Sequence, residues 1–197
     1  MKKVPKETIR TFIAVELPQE IHDRLQQIQD DLRTSMPDVR WIKHGNIHLT
    51  LKFLGDVQVS RIDAISEALR HVTHQFPPFT MSLAGMGAFP NSRKPRIVWI
   101  GVEKGADRLI EITELIEAST KKLGFPREKH PFRPHLTVGR IRRLTDPLAM
   151  TEALDRSEVG ELGNFNVERI SLIRSQLDPA GSIYTTLAEA QFSMLDD

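Results

Sequence analysis

The stretch His48-Leu49-Thr50-Leu51 recurs in the second half of the chain as His135-Leu136-Thr137-Val138. Both copies are predicted to be strands, in which residues i and i+2 point to the same face. Each copy therefore presents an imidazole and a hydroxyl on one face and two aliphatic anchors on the other. If the two halves are related by a pseudo-twofold axis, the two His-Thr faces converge on one cleft.

A third His-x-Thr sequence, His71-Val72-Thr73, differs from these two copies. It lies within a predicted helix, where residues i and i+2 do not share a face. It also lacks the following apolar residue. We therefore interpret it as a chance match, and only the two strand copies predict a site.

The elements around the two motifs follow a similar order in each half of the chain. Runs rich in β-branched residues predict strands, and apolar residues spaced by three and four predict helices. Strands are predicted at 8–17, 47–54, 79–88, 96–103, 135–141, 167–175 and 183–192, and helices at 19–33, 60–76, 106–123 and 148–156. Gly55-Asp56 is expected to be the turn that ends the second strand.

This order predicts an α+β fold with two pseudo-symmetric lobes, each a mostly antiparallel sheet with flanking helices. The active-site cleft is expected between the lobes. We expect residues 1–197 to form a single bilobal domain, with the pseudo-repeat boundary near 91–95, in a polar and basic loop.

Composition limits the chemistry that the chain can perform. Of the 197 residues, 40% are apolar and 27% are charged, which is typical of a folded globular protein. The absence of cysteine excludes thiolate catalysis, disulfides and cysteine-ligated metals. The 27 Lys and Arg residues nearly balance 26 Asp and Glu residues, which argues against broad coating of nucleic acid. A local basic patch remains compatible with this balance.

Two His-Thr pairs could bind a metal or transfer protons. No Asp, Glu or Cys lies near either motif to complete a metal shell, and threonine is a poor zinc ligand. General acid–base catalysis fits better, because a neutral imidazole can accept a proton from water while a protonated one donates to a leaving oxygen. The hydroxyls can donate hydrogen bonds to an anion between the rings. This favours displacement at a phosphodiester with no metal and no cofactor.

Further blocks of sequence surround the motifs. They are Thr11–Pro18, Val39–Trp41, Asn46–Gly55, Gly87–Pro90, Pro95–Trp99, Pro131–Arg140, and Ser175–Leu177 with Gly181 and Tyr184. With these blocks the chain resembles the two-histidine phosphoesterases, in particular the bacterial and archaeal RNA 2′,3′-cyclic phosphodiesterases, formerly called 2′-5′ RNA ligases. The resemblance covers nearly the whole chain.

This resemblance implies hydrolysis of a terminal 2′,3′-cyclic phosphate on RNA to a 2′-phosphate, with the 3′ oxygen as the leaving group. It implies that His48 is the proton donor and that His135 is the acceptor that activates water. Thr50 and Thr137 would bind the phosphate oxygens. Because the site is nearly symmetric, the reverse division of roles between the two histidines stays open. The implied partners are RNA 3′ ends or cyclic nucleotides.

Two further residues are candidate substrate contacts. Arg140 follows His135 by five positions, so on an ideal strand it faces away from the histidine, although a bulge could turn it into the cleft. The resemblance suggests a substrate contact, and the alternative is a surface arginine. Phe12 could stack on a base, and the alternative is packing in the core.

Other charged residues and histidines are less specific. A basic rim for an RNA backbone could comprise Arg93, Lys94, Arg96, Arg127, Lys129, His130 and Arg133, the alternative being a solvated charged loop. The histidines on predicted helices, His22, His71 and His74, are expected to face solvent.

Several alternatives stay open at the level of the sequence. The same chemistry could act on a small cyclic nucleotide or a 2′-5′ linkage, or run in reverse as a ligation. A non-catalytic RNA-end binding module is disfavoured, because both histidines and both threonines are present. No long apolar stretch follows the basic residues 1–7, so neither a signal peptide nor a membrane span is expected. A cytoplasmic monomer is expected.

Overall fold

The structure, a computed structural model, describes residues 7–157, 159–179 and 181–193. Its strands are β1 (Thr8–Val15), β2 (Val39–Trp41), β3 (Leu49–Gln58), β4 (Phe79–Phe89), β5 (Ile97–Val102), β6 (His135–Ile141), β7 (Asn164–Val167), β8 (Arg169–Asp178) and β9 (Gly181–Gln191). Its α-helices are α1 (Gln19–Leu32), α2 (Ile62–Thr73), α3 (Ala106–Lys122) and α4 (Pro147–Arg156). All the predicted elements are present, and the short strands β2 and β7 are additional.

The strands form two sheets. The first sheet has the order β3-β1-β8-β9 and the second has the order β2-β6-β5-β4-β7. The strand pairs of both sheets are antiparallel. This confirms the predicted α+β class with antiparallel sheets and flanking helices. Each sheet takes strands from both halves of the chain, and the loop around 91–95 joins β4 to β5 within the second sheet.

The helices cover one face of each sheet. Helices α2 and α3 contact each other and lie against the first sheet. Helix α1 is fixed to the second sheet by Gln29, whose buried Nε2 donates to the carbonyl oxygens of Ile42 and Val138, at 3.0 Å each. Helix α4 contacts β4. Among the described residues, the helices that contact the first sheet are α2 and α3, and its other face, which carries Phe12 and Ala14, is available for the cleft.

The apolar spacing that predicts the helices also forms the core. Ile65, Leu69 and Val72 of α2 are spaced by four and three residues and are buried. Leu109 and Ile112 of α3 are fully buried in the same cluster. Burying each such side chain stabilises the fold by about 1.5–3 kcal/mol. None of the helices in the described ranges is long and apolar enough to cross a membrane.

The predicted turn at Gly55-Asp56 is wrong, because β3 continues through it to Gln58. Gly55 has a φ of +72°, which favours glycine, and it lies next to the unpaired Leu54 in the register with β1. A glycine beside a bulge bends a strand without ending its pairing. The strand resumes its pairing, with Asp56 opposite Arg10.

Candidate active site

His48 lies immediately before β3, with one ring nitrogen already engaged. Its Nδ1 is 3.1 Å from the carbonyl oxygen of Asn46. A carbonyl oxygen only accepts hydrogen bonds, so Nδ1 carries the hydrogen and Nε2 is available for proton transfer. The ring stacks on Phe12 at a centroid distance of 4.5 Å and meets the edge of Tyr184 at 5.1 Å.

His135, at the start of β6, repeats this arrangement. Its Nδ1 is 2.6 Å from the carbonyl oxygen of Arg133, again two residues earlier in the chain. Phe89 packs edge-on against the ring at 5.0 Å. The same backbone bond therefore sets the same tautomer in both histidines, and in both it leaves Nε2 for chemistry.

The two threonines lie on the same faces as their histidines. Thr50 is opposite Ala14 in the register, and Thr137 is opposite Trp99. Ala14 belongs with Phe12 and Ile173 to a small apolar cluster that is separate from the main core. We call this surface, with the matching face of the second sheet that carries Thr137, the cleft face. Both threonine side chains are half-buried, and neither hydroxyl donates a hydrogen bond within the described ranges.

A β-bulge follows the threonine in both motifs. In β3, Leu51 has no partner between the pairs Thr50–Ala14 and Lys52–Ile13. In β6, Val138 has no partner between the pairs that Thr137 and Gly139 make with β5. An unpaired residue shifts the alternation of the strand by one. The residue five positions after each histidine therefore returns to the face of that histidine.

In the second motif, the residue that the bulge returns is Arg140. Its neighbour Ile141 is buried in the core, so Arg140 projects from the cleft face with Thr137. The bulge, and not ideal strand geometry, decides its direction. The guanidinium is close enough to His48 to lower the pKa of that imidazole. The second sheet thus brings its cleft face up to the histidine of the first.

Burial is the main influence on His48. The pKa of the His48 imidazole is lowered from 6.5 to about 4, and the largest cause is desolvation, because burial disfavours the charged form. The bond to Asn46 and the nearby carboxylate of Glu16 oppose this shift, and Arg140 adds to it. His48 is therefore neutral at pH 7 in the protein without substrate.

Phe12 packs against His48 and is only 3% exposed. Its face is covered by the imidazole, and Tyr184 meets it edge-on at 5.3 Å. The more exposed ring is that of Phe53, which lies 6.0 Å from Phe12 and is 54% exposed. Phe53 follows His48 by five residues, as Arg140 follows His135. Because a bulge follows the threonine in both motifs, Phe53 and Arg140 occupy equivalent positions.

Replacing Phe12 tests how desolvation acts on His48. In Phe12→Ala the stacked ring is lost and water reaches the imidazole, so we expect the pKa of His48 to rise from about 4 towards 6.5. Phe12→Leu keeps an apolar group at the position and should shift the pKa less. An NMR titration of the His48 ring proton gives both values. A His48 pKa that stays at about 4 in Phe12→Ala would show that another group controls it.

The candidate basic rim is only partly available for a ligand. Arg127 forms an ion pair with Glu114 of α3, so its charge is satisfied within the protein. Lys129, His130 and Arg133 are exposed in the segment before β6, and Arg93, Lys94 and Arg96 are exposed around the loop between β4 and β5. A further exposed arginine, Arg40 of β2, lies directly opposite Arg140, and no motif in the sequence singles it out.

One expectation for the other histidines is wrong. His22 is 8% exposed although it lies on α1, while His71 and His74 are exposed as expected. The His22 ring packs near His44, at a centroid distance of 5.7 Å, and His44 Nε2 is 3.0 Å from the Asp23 carboxylate. Burial, followed by the nearby His44, lowers the pKa of His22. Within the described ranges no group of three or more His, Asp or Glu side chains is placed to hold a metal.

Two imidazoles with available Nε2 atoms, each beside a threonine on an antiparallel sheet, define the class of two-histidine phosphoesterases. A sequence profile described as LigT like Phosphoesterase matches residues 15–99 and again residues 100–184. The chain belongs to the LigT-like phosphoesterase family.

Relatives and a solved structure agree with this assignment. The RNA 2′,3′-cyclic phosphodiesterase of Methanothermobacter thermautotrophicus is 35% identical and covers 91% of this chain and 96% of its own length. That of Archaeoglobus fulgidus is 37% identical and covers 91% and 98%, respectively. The crystal structure of E. coli LigT complexed with 3′-AMP matches with a TM-score of 0.76 at 25% identity, over 95% of this chain and 100% of that one.

Proposed function

We propose that this chain is an RNA 2′,3′-cyclic phosphodiesterase, which hydrolyses a terminal 2′,3′-cyclic phosphate to a 2′-phosphate. The observation that carries the proposal is the repeated site geometry. Each motif histidine bonds through Nδ1 to the carbonyl oxygen two residues earlier and keeps Nε2 for proton transfer. Two proton-transfer groups suit a displacement in which water attacks phosphorus and an oxygen leaves. The relatives named for this activity support the choice of substrate.

In the proposed mechanism each proton has a donor and an acceptor. Nε2 of His135 accepts a proton from water as its oxygen bonds to phosphorus. The bond from phosphorus to the 3′ oxygen breaks, and Nε2 of His48 donates a proton to that oxygen. The hydroxyls of Thr50 and Thr137 donate hydrogen bonds to the non-bridging oxygens, where negative charge increases.

The donor role requires that His48 be protonated when substrate is bound. In the protein without substrate its pKa is about 4. An anionic phosphate beside the ring favours the charged form. Binding of the cyclic phosphate therefore raises the pKa of His48, and Nε2 then carries the proton that it donates. Because the two rings would interact through the phosphate, their apparent pKa values belong to the pair.

The remaining parts of the proposal concern the surroundings of the phosphate. Arg140 contacts a phosphate oxygen. Phe12 excludes water from His48 and does not stack on a base, because its ring is buried beneath that imidazole. Residues 1–197 act as one bilobal domain with a pseudo-repeat boundary near 91–95. The partners are RNA 3′ ends or cyclic nucleotides, and the protein works as a monomer in the cytoplasm without a metal or cofactor.

An RNA oligonucleotide that ends in a 2′,3′-cyclic phosphate tests this function. We expect the protein in excess EDTA to open the ring and to give only the 2′-phosphate, because His135 and His48 supply the base and the acid. Mass spectrometry detects the added water, and resistance of the product to a 3′-specific phosphatase identifies the 2′ isomer. An intact ring, a 3′-phosphate product or complete loss of activity in EDTA would contradict the proposal.

Small nucleotides are a second candidate class of substrate. E. coli LigT has been crystallised with 3′-AMP, a mononucleotide, which favours testing a cyclic mononucleotide beside the RNA end. The same cleft and the same four residues would perform that reaction. An RNA end carries a phosphodiester immediately before its terminal nucleotide, and a cyclic mononucleotide lacks that phosphate.

A further inference from the structure

Two arginines lie side by side on the cleft face of the second sheet. Arg40 of β2 is directly opposite Arg140 of β6, in an antiparallel register that also pairs Val39 with Ile141. Residues opposite each other in such a pair point to the same face, with Cα atoms about 4.5–5.5 Å apart. Val39 and Ile141 are buried in the core. Arg40 and Arg140 therefore project together from the opposite face, and both are exposed.

Within the described part of the chain, neither guanidinium is neutralised by a carboxylate. In the described ranges no carboxylate lies within 4.0 Å of Arg40 or Arg140, whereas Arg33, Arg70 and Arg156 all have such partners. Like charges directly opposite each other on neighbouring strands are destabilising. An anion between the two arginines would remove that repulsion. Guanidinium groups match the geometry of phosphate oxygens and can bind them in a bidentate manner.

The position of the pair in the sheet indicates which phosphate it would bind. Arg140 follows Thr137 on β6, so it is the nearer of the two to the reacting phosphate. Arg40 is one strand further away, on β2, which is one of the two edge strands of the second sheet. A chain that enters the site from this side crosses Arg40 before it reaches Arg140. In an RNA end, the group in that position is the phosphodiester that precedes the terminal nucleotide.

Resting on the proposed function, we propose that Arg40, together with Arg140, binds the internucleotide phosphate immediately 5′ of the terminal nucleotide. The site would then select RNA ends over cyclic mononucleotides. Arg140 would be shared between the two phosphates, and Arg40 would contact only the internucleotide phosphate. Arg40 is accordingly a specificity-determining residue with no part in proton transfer.

Two substrates that differ by one nucleotide test this inference. They are adenosine 2′,3′-cyclic phosphate and the dinucleotide ApA with a terminal 2′,3′-cyclic phosphate. We expect the wild-type kcat/KM to be at least about tenfold higher for the dinucleotide, the size of one charge-assisted hydrogen bond. In Arg40→Gln this preference should fall at least about fivefold, mainly through KM, since the lost bond forms in the bound ground state.

A dinucleotide with a methylphosphonate link separates the phosphate charge from the added nucleoside. Its kcat/KM should fall towards that of the mononucleotide in the wild type, and Arg40→Gln should have little further effect on it. Arg156→Gln removes an equal charge from α4, where Arg156 pairs with Glu152, and should leave the preference unchanged. Rescue by Arg40→Lys should be partial, because lysine lacks the bidentate geometry.

The outcomes separate this inference from the proposed function. If neither substrate is hydrolysed, the proposed function fails. If both are hydrolysed with equal kcat/KM, or if the preference survives in Arg40→Gln, the function stands and the role of Arg40 is overturned. A preference that persists with the methylphosphonate link would also overturn it, because the added nucleoside alone would then account for the gain.

Discussion

His48→Ala and His135→Ala are each expected to lower kcat/KM for an RNA end with a 2′,3′-cyclic phosphate by roughly 10²–10⁴-fold, the usual contribution of a general acid or base. The double variant should be little worse than the poorer single variant, because the two groups act in one transition state. Initial-rate measurements on the purified variants give these ratios. The loss should appear mainly in kcat, since substrate still finds the threonines and Arg140.

The control for these variants is His71→Ala. His71 belongs to the third His-x-Thr sequence but lies exposed on α2. Its replacement should leave kcat/KM unchanged. Circular dichroism should show that His48→Ala and His135→Ala remain folded, because both rings lie at the cleft and not in the main core. A single histidine variant that keeps more than about a tenth of the wild-type rate would contradict the acid–base pair.

The sequence predicts the elements of this fold because its periodicities are strong. The apolar residues of α2 and α3 recur every three or four positions, and each of those stripes is buried. Short elements are harder to predict. Strand β2 has only three residues, Val39–Trp41, and pairs only at an edge of the second sheet, so local pattern cannot distinguish it from a loop. The same applies to β7 at the other edge.

The sequence likewise predicts some features of the candidate site and not others. The repeat of His-Leu-Thr predicts two equivalent faces, and the structure puts each histidine beside its threonine in equivalent settings. The register of β3 and β6 beyond the threonines is not predictable, because a bulge depends on pairing with a neighbouring strand. Ideal strand geometry therefore points Arg140 away from His135, and the sequence alone gives no reason to choose Phe53 as a residue of the cleft. The burial of His22 depends likewise on how α1 sits against the rest of the fold.

Lys52 has a structural role, a buried ion pair, that the sequence does not predict. The bulge at Leu51 turns Lys52 to the core face of β3, opposite Ile13. Its Nζ donates to both carboxylate oxygens of Glu117, at 2.7 Å each, and to the carbonyl oxygen of Pro126 at 2.8 Å. All three ammonium hydrogens are thus used. Local sequence shows only a lysine in an apolar strand, which would ordinarily face solvent.

This ion pair ties the first motif to the segment that leads to the second. Lys52 is two residues after Thr50, and Glu117 of α3 also accepts a hydrogen bond from the backbone N–H of Glu128. Residues 126–134, which have no regular secondary structure, connect α3 to His135. The pair therefore anchors the start of this segment to the strand that carries Thr50. Its side chains are only 1% and 7% exposed.

Glu117→Gln should consequently lower the free energy of unfolding by about 3–5 kcal/mol, because it leaves the Lys52 ammonium buried without a counter-charge. For a chain of this size the melting temperature should fall by roughly 10 °C. Urea unfolding followed by circular dichroism measures the change.

The double variant Lys52→Met with Glu117→Leu removes both charges and should recover much of the loss, since a buried ion pair and a packed apolar pair have similar net stability. The exposed pair of Glu152 and Arg156 supplies the control: Glu152→Gln should cost less than about 1 kcal/mol. If Glu117→Gln costs no more than Glu152→Gln, water reaches Lys52 and the pair does not anchor the segment before His135.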